Sequence, residues 1–168
     1  MAHFARMNSS HEVKQIFNIS NSEILDSDTR DESETIGIVK AKLANPGACA
    51  TGGYWKQCSY NTVEGQHLLG GTPLRANFPK IGWFYNSEHD IFHKPRPTGC
   101  DSWTLNTSTG YWEPPHAAPE LTEEQQQEVL TYASQGINKS MCYVWDESAY
   151  QADNTQGWVL TIPSDADE

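Results

Sequence analysis

The 168-residue chain is poor in positive charge and has no long apolar run. It carries 11 Lys and Arg against 22 Asp and Glu, a formal net charge of -11. Without a Lys/Arg stripe there is nothing to displace counterions from a phosphate backbone, so nucleic acid is excluded as a partner class. The same sign disfavours anionic membrane surfaces, and no apolar stretch reaches the length of a bilayer-spanning helix. The first residues, Met1 to Arg6, do not place a basic segment before an apolar one, so they are not expected to act as a secretory signal.

The standard catalytic signatures are missing too: no GxSxG, no GxGxxG and no GxxxxGK[ST]. Gly70-Gly71-Thr72 has no following Lys and reads as a turn. His89 and His93 are four residues apart on a turn-to-strand stretch; extended, they span about 13 Å, too far for one metal ion. Glu88 and Asp90 could pair as carboxylates but sit in a turn with nothing to raise a pKa. The four cysteines (49, 58, 100 and 142) show no CxxC spacing and are expected as free, mostly buried thiols, with Cys49 and Cys58 the pair close enough to bridge a loop. No cofactor, no metal and no catalytic residue is expected.

What the chain does have is rings: six Trp, seven Tyr and five Phe at only 37% hydrophobic content. Such a composition favours short strands whose aromatic side chains carry the packing. The expected class is α+β, mainly β, with short aromatic-rich hairpins and two helices, at about 32–44 and 121–134. Residues 1–20 alternate as a hairpin. Asp31, Ser33 and Glu34 supply start signals for the first helix, with Ile36, Val39 and Leu43 on one face. Thr122 and Gln125 have capping-box spacing for the second, Gly136 follows its end, and Val129, Tyr132 and Ala133 are its packing side. Three segments follow: 1–53, hairpin plus helix; 54–115, β-hairpins; and 116–168, a helical insertion plus a last hairpin. They form one or two compact lobes.

Three hairpins share a frame. Trp83-Phe84-Tyr85-Asn86 is followed by Phe92, Trp103-Thr104-Leu105-Asn106 by Trp112, and Tyr143-Val144-Trp145-Asp146 by Trp158 after six extra turn residues. Each places an apolar pair at i and i+2 on one strand face, an Asn or Asp that can bond back to the chain to start the turn, and an aromatic on the return strand. Pro95 and Pro114 close the first two. Isolated hairpins are marginal in water, and repeated ones gain stability by packing on neighbours, often of another chain. The rings at Trp83, Tyr85, Phe92, Trp103 and Trp112, with Tyr143, Trp145 and Trp158, are therefore the interface or packing candidates. Trp55, Tyr60 and the Gly70-Gly71 turn of the 66–77 loop join them.

Several blocks resemble a family of small virion proteins of tailed bacteriophages of aquatic hosts, notably cyanophages. They are the start MAHFAR, Trp55 to Thr62, His67 to Asn77, Ile81 to Tyr85 with Asp90 to Phe92, Ser102 to Asn106, and Tyr143 to Glu147. Two stretches depart from the family pattern: Lys94 to Asp101, where the family has a Pro-rich run ending in Pro-Tyr-Pro, and the helical segment at about 117–138, an insertion. The resemblance implies a non-enzymatic virion structural protein, made in the host cytoplasm and present in several copies or as a homo-oligomer. With the acidic surface, it implies a place on the particle exterior. A tail position (baseplate, neck or fibre) is the first expectation. Alternatives are a capsid decoration (cement) protein and a fibre-tip module that stacks glycans on its Trp rings.

Overall fold

The computed structural model describes residues 1–49 and 53–162, and the chain divides into two compact units. The first comprises Met1–Pro95 and Leu105–Glu113; the second comprises Arg96–Thr104 and Pro114–Glu168. The expected segments 1–53 and 54–115 do not separate, because a strand from each pairs in one sheet. The described residues hold three α-helices and eleven short strands, so the class is α+β and mainly β.

In the first unit, β1 (Ala2–Met7) is the middle strand of a three-stranded antiparallel sheet, between β2 (Val13–Ile19) and β3 (Tyr54–Cys58). Side chains alternate across the sheet, so β1 feeds two cores. Ala2 and Phe4, with Ile19 and Trp55 of the flanking strands, pack with Ile24 and Ala41 on one face. On the other, Ala5 and Met7 pack with Val13, Cys58, Tyr85 and Phe92. Being covered on both faces explains why four of its six residues, Ala2, Phe4, Ala5 and Met7, are apolar and buried, with His3 and Arg6 only half-buried between them.

The helix α1 (Glu34–Ala44) starts where the sequence indicated. Of the two competing N-caps, Ser33 is the one used, its hydroxyl accepting from the Ile36 amide. Its packing face differs from the expected one. Val39 and Leu43 are 51% and 76% exposed, and the buried positions are Gly37 and Ala41. The cause is steric: the tip of the Phe4 ring points at the helix, and a Cβ on Gly37 would stand 1.9 Å from Phe4 Cζ. A small-residue face lets the aromatic ring in, and the larger aliphatics are turned outward.

Three further hairpins belong to the first unit. They are β4 (Thr62–Val63) with β5 (Gln66–His67), β6 (Phe84–Asn86) with β7 (Ile91–His93), and β8 (Thr104–Asn106) with β9 (Tyr111–Glu113). The unit boundary falls within β8, between Thr104 and Leu105. Stretches 81–93 and 101–113 run through the same succession of turns and strands, twenty positions apart, and differ at Gly82, whose φ of 87° has no left-handed counterpart at Ser102. In both, the Trp amide closes a turn onto a carbonyl three residues back (Trp83 to Lys80 at 3.0 Å, Trp103 to Cys100 at 3.1 Å). In both, the Asn Oδ1 accepts two turn amides, and the residue before the return strand is left-handed (Asp90 φ 52°, Gly110 φ 72°). The repeat is thus one of backbone conformation as well as sequence.

The second unit has few buried side chains. Its elements are α2 (Glu123–Ser134), β10 (Cys142–Trp145), α3 (Glu147–Ala152) and β11 (Trp158–Thr161), with β10 and β11 paired antiparallel. The Thr122/Gln125 capping box forms. Gly136 (φ 73°) sits after the helix end, with the Gly136 and Ile137 amides closing onto Ala133 and Tyr132 as in a Schellman motif. The expected packing side of α2 is weaker than anticipated: Val129 and Tyr132 are half-buried, Ala133 is exposed, and no residue of the helix is buried. The six extra residues of the third repeat are not a longer turn but α3. Asp146 plays the part of Asn86 and Asn106, its carboxylate accepting from the Ala149 amide, and so caps a helix.

Cys58 and Cys100 are buried free thiols; Cys142 is free but exposed, on the outer face of β10. Cys58 is therefore unbridged; the side chain of Cys49 lies outside the described residues.

Candidate functional site

The aromatic cluster of the second unit is built on the β10–β11 hairpin. Cross-strand pairing places Trp145 opposite Trp158, with ring centroids 5.3 Å apart and edge to face. Trp103 lies 6.1 Å from Trp145 and 6.2 Å from Trp158, and Tyr150 of α3 is 5.2 Å from Trp145. Gly157 has to be glycine on two counts: its φ is 130°, and a Cβ there would meet the Trp145 ring at 2.5 Å. Trp158 Nε1 donates to the His116 carbonyl at 2.9 Å. Trp103 Nε1 is buried without an acceptor among the described residues.

Glu147 ties the cluster together. Its Oε2 accepts from Trp145 Nε1 (3.0 Å), the Ser102 hydroxyl (2.9 Å) and the Ser102 amide (3.3 Å); its Oε1 accepts from Gln151 Nε2 (2.8 Å). Donation from Trp145, then Gln151, holds the carboxyl at about 2, well below the usual glutamate range.

The opposite face of this hairpin exposes apolar side chains. Val144 and Val159, a cross-strand pair, are 49% and 45% exposed, and Ile162 and Leu130 of the same unit are also exposed. A depression of about 390 Å³ lies here, lined by Gly99, Val144, Trp145, Glu147, Val159 and Thr161. Of the expected interface or packing residues, Trp103, Tyr143, Trp145 and Trp158 belong to this unit, all half-buried.

The rings of the first unit have a different role. Trp55, Tyr85 and Phe92 are buried in its cores and act in packing. Trp83 and Trp112 are half-buried. Lys94 lies over the rings of Trp83 (5.8 Å) and Tyr111 (5.6 Å), and Trp112 Nε1 donates to the Lys94 carbonyl at 2.9 Å. Asn77, buried, joins the hairpins: its Nδ2 donates to the Phe92 and Thr109 carbonyls and its Oδ1 accepts from the Glu64 amide. A Cβ on Gly110 would strike that same Nδ2 at 2.4 Å, which accounts for glycine at this turn position. Tyr60 is exposed beside Phe78. Gly70 and Gly71 form an exposed turn in which the His67 ring accepts the Leu69 and Gly71 amides, displaying Leu68 and Leu69 to solvent.

An ion network centred on a buried guanidinium and not anticipated from the sequence links elements of the first unit. The Arg75 side chain, 8% exposed, donates to Glu34 Oε2 (2.9 Å), Asp90 Oδ1 (2.8 Å) and the Gln57 carbonyl (2.6 Å). Glu34 Oε1 accepts from the Gln57 amide, and the Tyr85 hydroxyl donates to Asp90. The start of α1, β3, the 66–77 loop and the first aromatic hairpin are thereby fixed to one guanidinium.

The chemically suspicious residues find structural partners. Asp90 is taken up by Arg75 and Tyr85. His89 is exposed, its Nδ1 3.3 Å from Asn86 Oδ1, while His93 stacks on Phe84 and burial holds its pKa down. Burial pushes the Cys58 thiol up to about 12, far from a reactive thiolate. Among the described residues no three His, Cys, Asp or Glu side chains could hold a metal, and no helix is long and apolar enough to cross a membrane.

Comparison of the chain with known protein families, with curated proteins and with solved structures finds no match in any of the three.

Proposed function

We propose that the chain is a non-enzymatic structural protein that docks, through its second unit, to other proteins of a viral particle. The observation that carries this is the uneven burial of apolar side chains. Of the described buried hydrophobic residues, only Cys100 and Met141 fall in the second unit, which exposes Leu130, Val144, Val159 and Ile162. A two-stranded hairpin and a helix with no buried residue are marginal alone and gain stability from a covering surface. Hydrophobic burial against a neighbour, with the tryptophans as anchors at its edge, is the chemistry this unit is equipped for.

The assignment to a virion rests on the resemblance to small structural proteins of cyanophage-type tailed phages, and the exterior position on the net charge of -11. The partners are then other tail proteins, baseplate, neck or fibre, or further copies of the chain. The glycan-stacking alternative is less favoured, since Trp103, Trp145 and Trp158 pack against one another and offer few free ring faces. The test is incorporation: particles are grown with a Val144→Asp/Val159→Asp chain and their composition is read by mass spectrometry. The expected result is a folded variant left out of the particle. Normal incorporation, or absence of the wild-type chain from purified particles, contradicts the proposal.

A further inference from the structure

The first unit contains a polar cavity of about 500 Å³ that the docking role does not use. The volume lies in the range of small-molecule sites. Its lining includes the buried Ala2, Gln57 and Cys58, and its polar wall comes from elements tied together by hydrogen bonds.

On one side stands Glu32. Its Oε1 accepts from Asn21 Nδ2, and its Oε2 from Gln57 Nε2 at 3.4 Å. Each carboxylate oxygen can accept a second hydrogen bond, so Glu32 is held in place with acceptor capacity left over. On the other side are Ser59, Asn61 and Thr72, with His67. His67 Nδ1 already accepts two backbone amides, from Leu69 at 3.2 Å and Gly71 at 3.0 Å. The neutral ring therefore carries its proton on Nε2, which is a donor. Gly71 belongs to this arrangement, since a Cβ there would come within 3.0 Å of the imidazole.

The chemistry of this wall is selective. Three amides and two hydroxyls can each donate and accept, and one carboxylate accepts strongly. No Lys or Arg side chain lines the cavity; of its charged groups, Glu32 is tied in place by two hydrogen bonds and the Met1 ammonium belongs to a residue 71% exposed, so a phosphate or carboxylate ligand would meet a fixed anion and only a water-screened cation. Leu74 gives an apolar contact, as the C–H face of a sugar requires. We infer that this cavity binds a neutral, polyhydroxylated ligand of monosaccharide size, with Glu32 as the charged acceptor for its hydroxyls. The site is independent of the docking surface and stands or falls separately.

The experiment is a titration of the full-length, isotope-labelled chain, followed by backbone amide shifts. The probes are the methyl glycosides of glucose, galactose and mannose, with glucuronate and glucose 6-phosphate as anionic controls. At least one neutral glycoside is expected to shift the Gln57, Ser59, Asn61 and Thr72 amides saturably, and the anionic sugars more weakly. Glu32→Gln should weaken that binding about tenfold, as loss of a charge-assisted hydrogen bond implies. Thr72→Trp, at an exposed rim position, should abolish it and leave the β1–β3 resonances in place. The inference is overturned by the absence of saturable shifts with every neutral glycoside, by anionic sugars binding as tightly, or by wild-type affinity in Thr72→Trp. Shifts confined to Trp145 and Trp158 also overturn it, and would revive ring stacking in the second unit.

Discussion

The two units use aromatic residues to opposite ends. In the first, Phe4, Trp55, Tyr85 and Phe92 are enclosed by a sheet covered on both faces, and an arginine, an asparagine and three carboxyl or hydroxyl groups lock the surrounding loops. In the second, the tryptophans pack on one another around a single carboxylate and shield almost nothing else. Rings of the same kind in the same hairpin frame become a core when a sheet lies against them, as Tyr85 and Phe92 do against β1–β3. Otherwise they form a half-buried cluster. The repeated unit sets the local backbone, and the surroundings set what the ring does.

The contrast can be broken most forcefully at its buried end. Phe4→Ala removes a ring with no solvent exposure and should cost the first unit about 3–5 kcal/mol, read by denaturant unfolding. Next, Arg75→Met should cost about 1.5–3 kcal/mol, the range for hydrogen bonds to charged groups, held below a fully buried pair because Glu34 and Asp90 keep partial access to water. Gly37→Ala should cost about 1–3 kcal/mol by overpacking. Much of that should disappear in the Phe4→Ala background, because the clash is with that ring; a double-mutant cycle checks the coupling.

Acid sharpens the comparison from the other side. Glu147 is held at about 2 in the folded chain, against an ordinary value of 4.5. Its folded pKa is depressed, so its contribution is complete above about 4.5 and is lost as pH falls toward 2. Near-ultraviolet signals of the tryptophan cluster should change in that window in the wild type and lose the transition in Glu147→Gln. The smallest effect is expected at Leu130→Asp and Val144→Asp, each within about 0.5 kcal/mol of wild type in the isolated chain, since both side chains already face water.

Much of the first unit was legible from residues. Alternation identified β1 and β2, capping signals fixed both long helices within two residues, and the Asn-started turns at 86 and 106 follow from side-chain chemistry. The helix face was not legible: Ile36, Val39 and Leu43 satisfy the apolar period, and only the Phe4 ring, remote in sequence, decides that Gly37 and Ala41 face inward. Arg75 and Asn77 were hidden for a related reason. Their partners, Glu34, Asp90 and Thr109, lie 41, 15 and 32 residues away, and a lone cation in a loop has no local pattern. The third helix has no distinct sign in the sequence, because Asp146 starts its segment as Asn86 and Asn106 start their turns, and the same side-chain geometry caps a helix when helix formers follow. Glu147 had a usable sign: a carboxylate two residues after a half-buried tryptophan can accept its indole N–H.

The central claim, that the second unit has no adequate core of its own, is tested most directly by native-state amide hydrogen exchange on the isolated chain. The account predicts that Phe4 to Met7 of β1 exchange only through global opening, while Tyr143 to Trp145 and Trp158 to Leu160 exchange orders of magnitude faster through local opening. Equal protection of β1 and the β10–β11 hairpin would contradict it, and would mean that the tryptophan cluster stabilises its unit without a partner.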